Sequence, residues 1–222
     1  MVFEGPNASG KTTVMRMFIE HLKKNNYITS NSDVVVTKEP GTPHNKFNKK
    51  LRKVLLHGED ISKISQLYLF LADRYEHITK VVKPALKEDK LVISDRFWYS
   101  TYVYQKMIDK VFNDWESVYQ SFMDVVDMPV VDYLFIVLSN KPHNSKSVDN
   151  IHKKMIEKRK KVVKSYFRID QLCSISNDYK KDYNVKNTLC IDNNEIKDKR
   201  DTMRTKLKQQ LKSTFNYITR NY

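Results

Sequence analysis

An eight-residue segment near the start of the sequence fits the pattern G-x-x-x-x-G-K-[ST] at every fixed position: Gly5-Pro6-Asn7-Ala8-Ser9-Gly10-Lys11-Thr12. It follows a short apolar run, residues 1–4, and precedes a segment with the apolar spacing of a helix, residues 10–25. Strand, loop and helix in this order are the context in which the pattern forms a phosphate-binding loop. A plain glycine turn before a helix is the alternative, and the order of the three elements argues against it.

The spacing within this loop follows from the chemistry of phosphate binding. Glycines let backbone N–H groups turn inward around phosphate oxygens, at the positive end of the helix that follows. Lys11 reaches the outer phosphates of a nucleoside triphosphate, and the Thr12 hydroxyl is a ligand for Mg²⁺. Two of the four glycines in the chain lie in this loop. We therefore expect a nucleotide-binding site formed by Gly5, Asn7, Ala8, Ser9, Gly10, Lys11, Thr12 and Thr13.

Short β-branched runs alternate with longer segments of helical spacing along the chain. The predicted strands are residues 1–4, 33–37, 91–94, 133–138 and 188–191. The predicted helices are residues 10–25, 46–56, 61–83, 100–110, 115–126, 151–168 and 195–217. The third helix is expected to stop at Pro84, because a proline ring disfavours helical backbone in the residue before it. This alternation predicts an α/β fold with a five-stranded, mostly parallel sheet between two layers of helices, as one domain over residues 1–222.

The formal net charge of +14 and the pI near 9.5 indicate polyanionic partners, either nucleotide phosphates or nucleic acid. Many lysines stand beside asparagines and tyrosines without any period, so a coding bias toward Lys and Asn is an equally simple explanation of the total. The placement of the charges is therefore more informative than their number.

Cysteine content and hydropathy indicate where in the cell the protein is located. Cys173 and Cys190 are the only cysteines, too few for a disulfide framework and without the paired spacing of a zinc site. No apolar run approaches the roughly 18 residues of a membrane span, and the start of the chain lacks a signal-peptide pattern. We expect a cytoplasmic protein that does not enter a membrane, within a host cell if the source is a virus.

A series of segments resembles, in order, the thymidylate kinases, a family of P-loop nucleoside monophosphate kinases. The segments are Phe3-Glu4-Gly5-Pro6-Asn7-Ala8-Ser9-Gly10-Lys11-Thr12-Thr13, Lys38-Glu39-Pro40-Gly41-Thr42, Leu51-Arg52, Phe70-Leu71-Ala72-Asp73-Arg74-Tyr75-Glu76-His77, Pro84-Ala85-Leu86-Lys87-Glu88, Asp95-Arg96-Phe97 and Ser100-Thr101-Tyr102-Val103-Tyr104-Gln105. The likeness is close over residues 1–138 and only in outline over residues 150–222. It implies the three-layer P-loop kinase fold and Mg²⁺-assisted transfer of a phosphoryl group from ATP to dTMP in nucleotide biosynthesis.

The resemblance also implies an acceptor site. Phe70 and Arg74 are four residues apart and share a helix face, so a ring can stack on a base while a guanidinium bonds its edge. Taken alone, the pair is more simply a core residue and a surface residue. The resemblance implies that Phe70 stacks on thymine and that Arg74 bonds its carbonyl edge. The other implied substrate-binding residues are Glu39 and Pro40 at the wall, Thr101 and Gln105 near the base, and Arg52 and Arg96 at the acceptor phosphate.

Asp95 and Arg96 follow a predicted apolar strand, and the carboxyl ends of parallel strands are where such sheets bind ligands. A buried ion pair is the alternative for any α/β protein. The resemblance implies that Lys11, Asp95 and Arg96 carry the catalysis. It also implies that Thr12 and Asp95 serve the Mg²⁺ ion, the aspartate commonly through water.

The sequence departs from the family at three places. Asn7 stands where an acidic residue is usual, Lys38 stands for an arginine, and the loop after it lacks one glycine. The lid region near residues 139–160 is short, and its lysines fit no arginine pattern of the family. Lys146 and Lys153 are the candidates there, although a lysine supplies charge without a two-pronged grip. A solvated basic helix is the alternative for these lysines.

Two other functions remain open from the sequence. Asn7 and the altered loop favour a broader deoxynucleoside monophosphate kinase, while the short lid and the positive charge favour a catalytically weak, kinase-like module that binds nucleic acid. ATP and dTMP are the expected partners, with nucleic acid less favoured. The resemblance implies a homodimer, for which the helix containing Trp115, Tyr119 and Phe122 is a candidate surface. An ordinary core stripe is the simpler interpretation of these rings.

Overall fold

The computed structural model describes residues 1–57, 61–111, 114–139, 150–175 and 184–192. In this part of the chain five strands form one sheet in the order β2-β3-β1-β4-β5, with every neighbouring pair parallel. The strands are β1 (Val2–Glu4), β2 (Val34–Lys38), β3 (Leu91–Asp95), β4 (Val131–Leu138) and β5 (Val185–Asp192). The predicted five-stranded parallel sheet is confirmed.

Helices connect successive strands and cover both faces of the sheet. They are α1 (Lys11–Lys24), α2 (Lys46–His57), α3 (Lys63–His77), α4 (Lys83–Lys87), α5 (Trp98–Thr101), α6 (Trp115–Val126) and α7 (Asn150–Ile175). Two π-helical segments, Ile78–Val82 and Tyr102–Ile108, join α3 to α4 and extend α5. The helix predicted over residues 195–217 lies outside the described residues. No helix of the described part is long and apolar enough to cross a bilayer.

The predicted helix end at Pro84 is wrong. The helix continues through the π-helical segment into α4 and reaches Lys87, with the proline in the first turn of α4. Proline lacks an N–H group, and its ring crowds the carbonyl one turn earlier. A π-helical turn before the proline widens the backbone at that point, so the chain keeps its direction without the missing hydrogen bond.

Alternating residues of the central strands feed two separate cores. On one face Phe3 and Phe135 stack with ring centroids 4.5 Å apart, and Phe18 of α1 packs against both rings. On the other face Leu134 and Ile136 pack within a cluster that also contains residues of α5, α6 and α7. Burying one large apolar side chain stabilises the fold by about 1.5–3 kcal/mol. The two cores confirm the predicted three-layer α/β architecture.

The sheet order brings the site-bearing loops to one edge. In the register of the strands, Phe3 of β1 and Lys38 of β2 both lie opposite Asp95 of β3. The loops that follow these three strands therefore leave the sheet side by side, at the carboxyl ends where open parallel sheets bind ligands.

Candidate active site

The loop between β1 and α1 has the backbone conformation that its glycines predict. Gly5 has a φ of 138°, and a Cβ added to it would collide with the carbonyl oxygen of Val137. Gly10 caps α1 in the left-handed region, with a φ of 93°, and its carbonyl accepts the N–H groups of Thr13 and Val14 at 3.0 Å. Only glycine suits a position that combines a positive φ with so close a backbone contact. The loop thus stands at the N-terminal end of a 14-residue helix.

Lys11 folds back over this loop. Its Nζ donates to the carbonyl oxygens of Gly5 at 3.0 Å and Pro6 at 2.8 Å, and the side chain is buried. Burial, helped by the positive charge of Arg96, lowers the pKa of the Lys11 ammonium to about 7. An anion placed beside the ammonium would stabilise its charged form.

Thr12 and Asp95, the residues predicted to serve Mg²⁺, lie side by side in the structure. The Thr12 hydroxyl donates to Oδ2 of Asp95 at 3.4 Å, and Oδ1 of Asp95 is buried without a hydrogen-bond partner among the described residues. A carboxylate oxygen left over beside a hydroxyl suits a hard cation such as Mg²⁺. The described residues hold no group of three or more His, Cys, Asp or Glu that could bind a metal. The pair therefore fits an ion that takes one or two protein oxygens and completes its shell with phosphates and water.

A cavity of about 250 Å³ lies beside the loop, and seven of the eight predicted substrate-binding residues line it. These are Glu39, Pro40, Phe70, Arg74, Arg96, Thr101 and Gln105. Asn7 of the phosphate loop also lines the cavity, so the two predicted sites open onto each other. The eighth residue, Arg52, is outside this lining, and its Nη1 donates to the carbonyl oxygen of Pro40.

Arg74 is held by protein groups at the wall of the cavity. Its Nε donates to Glu39 at 2.8 Å, and its Nη2 donates to the Thr101 hydroxyl at 3.0 Å and to the Phe97 carbonyl at 3.3 Å. Glu39 also bonds Nδ1 of His77 at 2.7 Å. Burial works against the charge of Glu39, but Arg74 and His77 outweigh it and the pKa of this carboxyl is lowered. Arg74 therefore presents a fixed cationic edge to the cavity.

Arg96 links the cavity to the phosphate loop. Its backbone is left-handed, with a φ of 75°, which costs a non-glycine residue roughly 1 kcal/mol. Its Nη2 donates to Oδ1 of Asn7 at 2.6 Å, and its Nη1 donates to the Ser100 hydroxyl at 2.8 Å. Burial opposes the charge of Arg96, but Tyr166 and Glu4 outweigh it, so the pKa of the guanidinium is raised and Arg96 stays charged.

One basic residue of the lid region that was not chosen as a lid candidate, Arg159, lies at the site. Arg159 of α7 donates from Nε and Nη2 to the Ser139 carbonyl, at 3.1 and 2.9 Å, and from Nη1 to the Asn7 carbonyl. It is one of several basic residues of α7, so nothing in the sequence separates it from its neighbours. Of the predicted lid lysines, Lys146 lies outside the described residues, and the side chain of Lys153 is likewise not described.

Comparison with known proteins agrees with the geometry. The thymidylate kinase family model matches residues 3–199 of the chain. The chain belongs to the thymidylate kinase family. Among its relatives, a probable thymidylate kinase of Thermococcus onnurineus is 35% identical over 179 residues, which cover 76% of this chain and 82% of the relative. A thymidylate kinase of Ureaplasma parvum is 28% identical over 180 residues, 76% of each chain.

A solved structure extends the likeness to the fold. The crystal structure of thymidylate kinase from Ehrlichia chaffeensis has a TM-score of 0.61 and 28% identity to this chain, and the match covers 86% of this chain and 90% of that one. Membership of the thymidylate kinase family confirms the resemblance found in the sequence. It does not favour the two alternatives, a broader deoxynucleoside monophosphate kinase and a nucleic-acid-binding module.

Proposed function

We propose that the chain transfers the γ-phosphoryl group of ATP to dTMP in nucleotide biosynthesis, using the phosphate loop for ATP and the adjoining cavity for dTMP. The observation that supports this most directly is the continuity of the two sites. Asn7 belongs to the loop and lines the cavity, and it is hydrogen-bonded to Arg96 at 2.6 Å. A phosphate held at Arg96 is therefore next to the phosphates held by the loop, as direct transfer between two nucleotides requires.

On the donor side, the loop binds the phosphates of ATP. Backbone N–H groups of the loop and of the first turn of α1, other than those of Ser9 and Thr13, which donate to Pro6 and Gly10, surround the β-phosphate at the positive end of α1. The Lys11 ammonium exchanges its two loop carbonyls for the β- and γ-phosphate oxygens, which keep it protonated. Thr12 and Asp95 would hold Mg²⁺, and the ion would supply positive charge to the two phosphates.

On the acceptor side, the cavity binds dTMP by its base and its phosphate. Phe70 stacks on thymine, while Thr101 and Gln105 offer polar groups to the edge of the base. Arg74, held by its ion pair with Glu39, presents its positive charge to the base. Arg96 binds the acceptor phosphate. In the structure Arg52 donates to the Pro40 carbonyl, and it moves toward the same phosphate when dTMP binds.

In the transfer, an oxygen of the dTMP phosphate attacks the γ-phosphorus in line with the leaving group. The new bond forms as the bond from the γ-phosphorus to the β,γ-bridging oxygen breaks, giving dTDP and ADP. A monophosphate near neutral pH is already largely ionised, so the protein positions it rather than deprotonates it. Lys11 and Arg159 supply positive charge to the equatorial oxygens, and Arg159 takes the part that the sequence assigned to Lys146 and Lys153.

A homodimer accompanies this function in our proposal, through a surface that includes Phe122 of the three predicted rings but not Trp115 or Tyr119. Trp115 is buried, with its ring 6.1 Å from that of Tyr102, and the ring of Tyr119 lies 4.7 Å from that of Trp98, so both belong to the core. The supporting surface is an exposed apolar groove between α3 and α6. Its lining includes Tyr68, Leu71, Tyr75, Val118, Phe122 and Val125. The proposed substrates place the reaction in the cytoplasm.

The test supplies purified protein with ATP, Mg²⁺ and each deoxynucleoside monophosphate in turn, and measures ADP release. We expect dTMP to have the highest kcat/KM, and Lys11→Ala to abolish turnover while Lys24→Ala, an exposed lysine at the other end of α1, does not. Folded protein that phosphorylates none of the acceptors would refute the proposal. Equal kcat/KM for dTMP, dCMP and dGMP would replace it with the broader kinase.

A further inference from the structure

Three elements meet at one buried carboxylate beneath the acceptor cavity. Glu4 ends β1, immediately before the phosphate loop, and has no exposed surface. Its Oε1 accepts the backbone N–H groups of Phe97 at 2.8 Å and Ser100 at 3.1 Å. Its Oε2 accepts the hydroxyls of Ser100 at 2.7 Å and Tyr166 at 2.9 Å. Glu4 thereby joins the strand before the loop, the segment after β3, and α7.

The two hydroxyls also contact Arg96. Nη1 of Arg96 donates to Ser100 Oγ at 2.8 Å and to Tyr166 Oη at 3.3 Å, while it lies 3.7 Å from Oε2 of Glu4. A hydroxyl has one proton and two lone pairs. When the Ser100 and Tyr166 hydroxyls donate hydrogen bonds to Glu4, their lone pairs face Arg96 and accept from its guanidinium. The carboxylate thus orients both hydroxyls as acceptors for Arg96.

We propose that Tyr166 and Glu4 are positioning residues which fix the Arg96 guanidinium for the acceptor phosphate, so that α7 helps to set the geometry of the acceptor site. The inference rests on the proposed function, in which Arg96 grips that phosphate. Tyr166 has no exposed surface and is 70 residues from Arg96 in the sequence. Its hydroxyl lies between the Glu4 carboxyl, whose pKa burial raises, and the charged Arg96 guanidinium, and a hydrogen bond to an ionised partner is stronger than a neutral one.

The arrangement predicts where a defect should appear. Nη2 of Arg96 is held by Asn7 of the phosphate loop, and Nη1 is held by the two hydroxyls. Without the Tyr166 hydroxyl, Nη1 loses one of its two hydroxyl acceptors, and the guanidinium can rotate more freely about its remaining bonds. Such freedom weakens the grip on a phosphate group but leaves the base-binding wall of Phe70 and Arg74 unchanged. Loss of affinity should therefore depend on the phosphate of the ligand.

The experiment compares Tyr166→Phe with the parent protein by calorimetry, using dTMP and thymidine, which has the same base and sugar without the phosphate. We expect Tyr166→Phe to weaken dTMP binding by about five- to tenfold, the size of the effect of one hydrogen bond, and to leave thymidine binding unchanged. Tyr99→Phe is the matched control, since Tyr99 is equally buried and its hydroxyl donates to the Asn184 carbonyl, away from Arg96. It should change neither affinity.

A double-mutant cycle separates positioning from general packing. In an Arg96→Ala background, Tyr166→Phe should have no further effect on dTMP binding. An equal loss for dTMP and thymidine, or an undiminished effect without Arg96, would overturn the inference. Ser100→Ala tests the same prediction if Tyr166→Phe does not fold. Parent protein that fails to bind dTMP would refute the proposed function, whereas normal dTMP binding by Tyr166→Phe and Ser100→Ala would refute only this inference.

Discussion

At the scale of single residues, the site depends on buried charges that neutralise one another. Glu39 and Arg74 are each 3% exposed in their side chains, and His77 completes the group from the far side of the carboxylate. Nε2 of His77 bonds the Thr37 hydroxyl at 2.9 Å, and Thr37 bonds Thr42 at 2.7 Å. A continuous row of hydrogen bonds therefore runs from Thr42, in the loop after β2, to Arg74 at the cavity wall. Removing one member of this row would leave its buried neighbours without hydrogen-bond partners, which destabilises the fold.

Glu39→Gln should reveal the value of this charge through its pH dependence. Removing one partner of a buried pair typically costs about 3–5 kcal/mol, so we expect the variant to lose roughly that free energy of unfolding at pH 7. Because Arg74 lowers the pKa of Glu39, the stabilisation is complete above the ordinary value of 4.5 and is lost as the pH falls through the lowered pKa. The difference between parent and variant should shrink only below about pH 4.5.

Urea unfolding at pH 7, 5 and 3.5 measures this difference. Glu20→Gln is the control, because Glu20 is exposed on α1 and an exposed substitution changes stability by about 0.5 kcal/mol or less. A difference of the same size at pH 3.5 as at pH 7 would mean that the loss comes from packing and not from the charge of Glu39.

At the scale of whole elements, α7 connects the sheet to the phosphate loop at two points. Tyr166 bonds Glu4 at the end of β1, and Arg159, two helical turns earlier, bonds the carbonyls of Ser139 and Asn7. The guanidinium is therefore fixed beside the loop by an element that begins after β4. Arg159 can therefore supply the positive charge that the sequence analysis assigned to Lys146 and Lys153.

Arg159→Ala should lower kcat more than it raises the KM for dTMP. Removing one preorganised donor to developing charge typically costs about 10²–10³ in kcat, and Arg159 does not line the acceptor cavity. Arg159→Lys should recover part of the rate, because it restores charge without the fork of donors. Lys160→Ala, an exposed neighbour on α7, should keep the parent kcat. Steady-state kinetics in which Arg159→Ala alters only the KM for dTMP would rule out this role.

Local sequence patterns predicted the elements better than the contacts between them. The bounds of α6 agree with the prediction at both ends, and the phosphate loop was predicted from its residue spacing and from the strand and helix on either side of it. Seven predicted acceptor residues meet in one cavity because short motifs follow successive strands. The bonds of Glu4 to Tyr166 and of Arg159 to Asn7 join residues 162 and 152 positions apart, so no local pattern encodes them. The prediction that a helix ends at Pro84 was wrong because a π-helical turn accommodates the proline.

At the scale of the whole molecule, part of the positive charge is concentrated beside the site. A groove of about 560 Å³ runs along α7 and is lined by five cations and one carboxylate, namely Lys110, Lys158, Lys161, Lys164, Arg168 and Glu157. Lys158 lines this groove and also the acceptor cavity. The groove therefore provides a continuous positive surface that leads to the cavity for dTMP, in a chain with a formal net charge of +14.

This surface should make the KM for dTMP depend on ionic strength. Clefts lined by one sign of charge raise the local concentration of a ligand of the opposite sign, and salt screens the effect over about 10 Å at 0.1 M. We expect the double variant Lys161→Glu and Lys164→Glu to raise the KM for dTMP roughly fivefold at low salt, with kcat unchanged, and to approach the parent at about 0.5 M salt. The double variant Lys24→Glu and Lys87→Glu makes the same change in net charge at exposed positions away from the groove and should match the parent KM. If both double variants raised the KM equally, the total charge would be responsible, and the groove would have no part in gathering the acceptor.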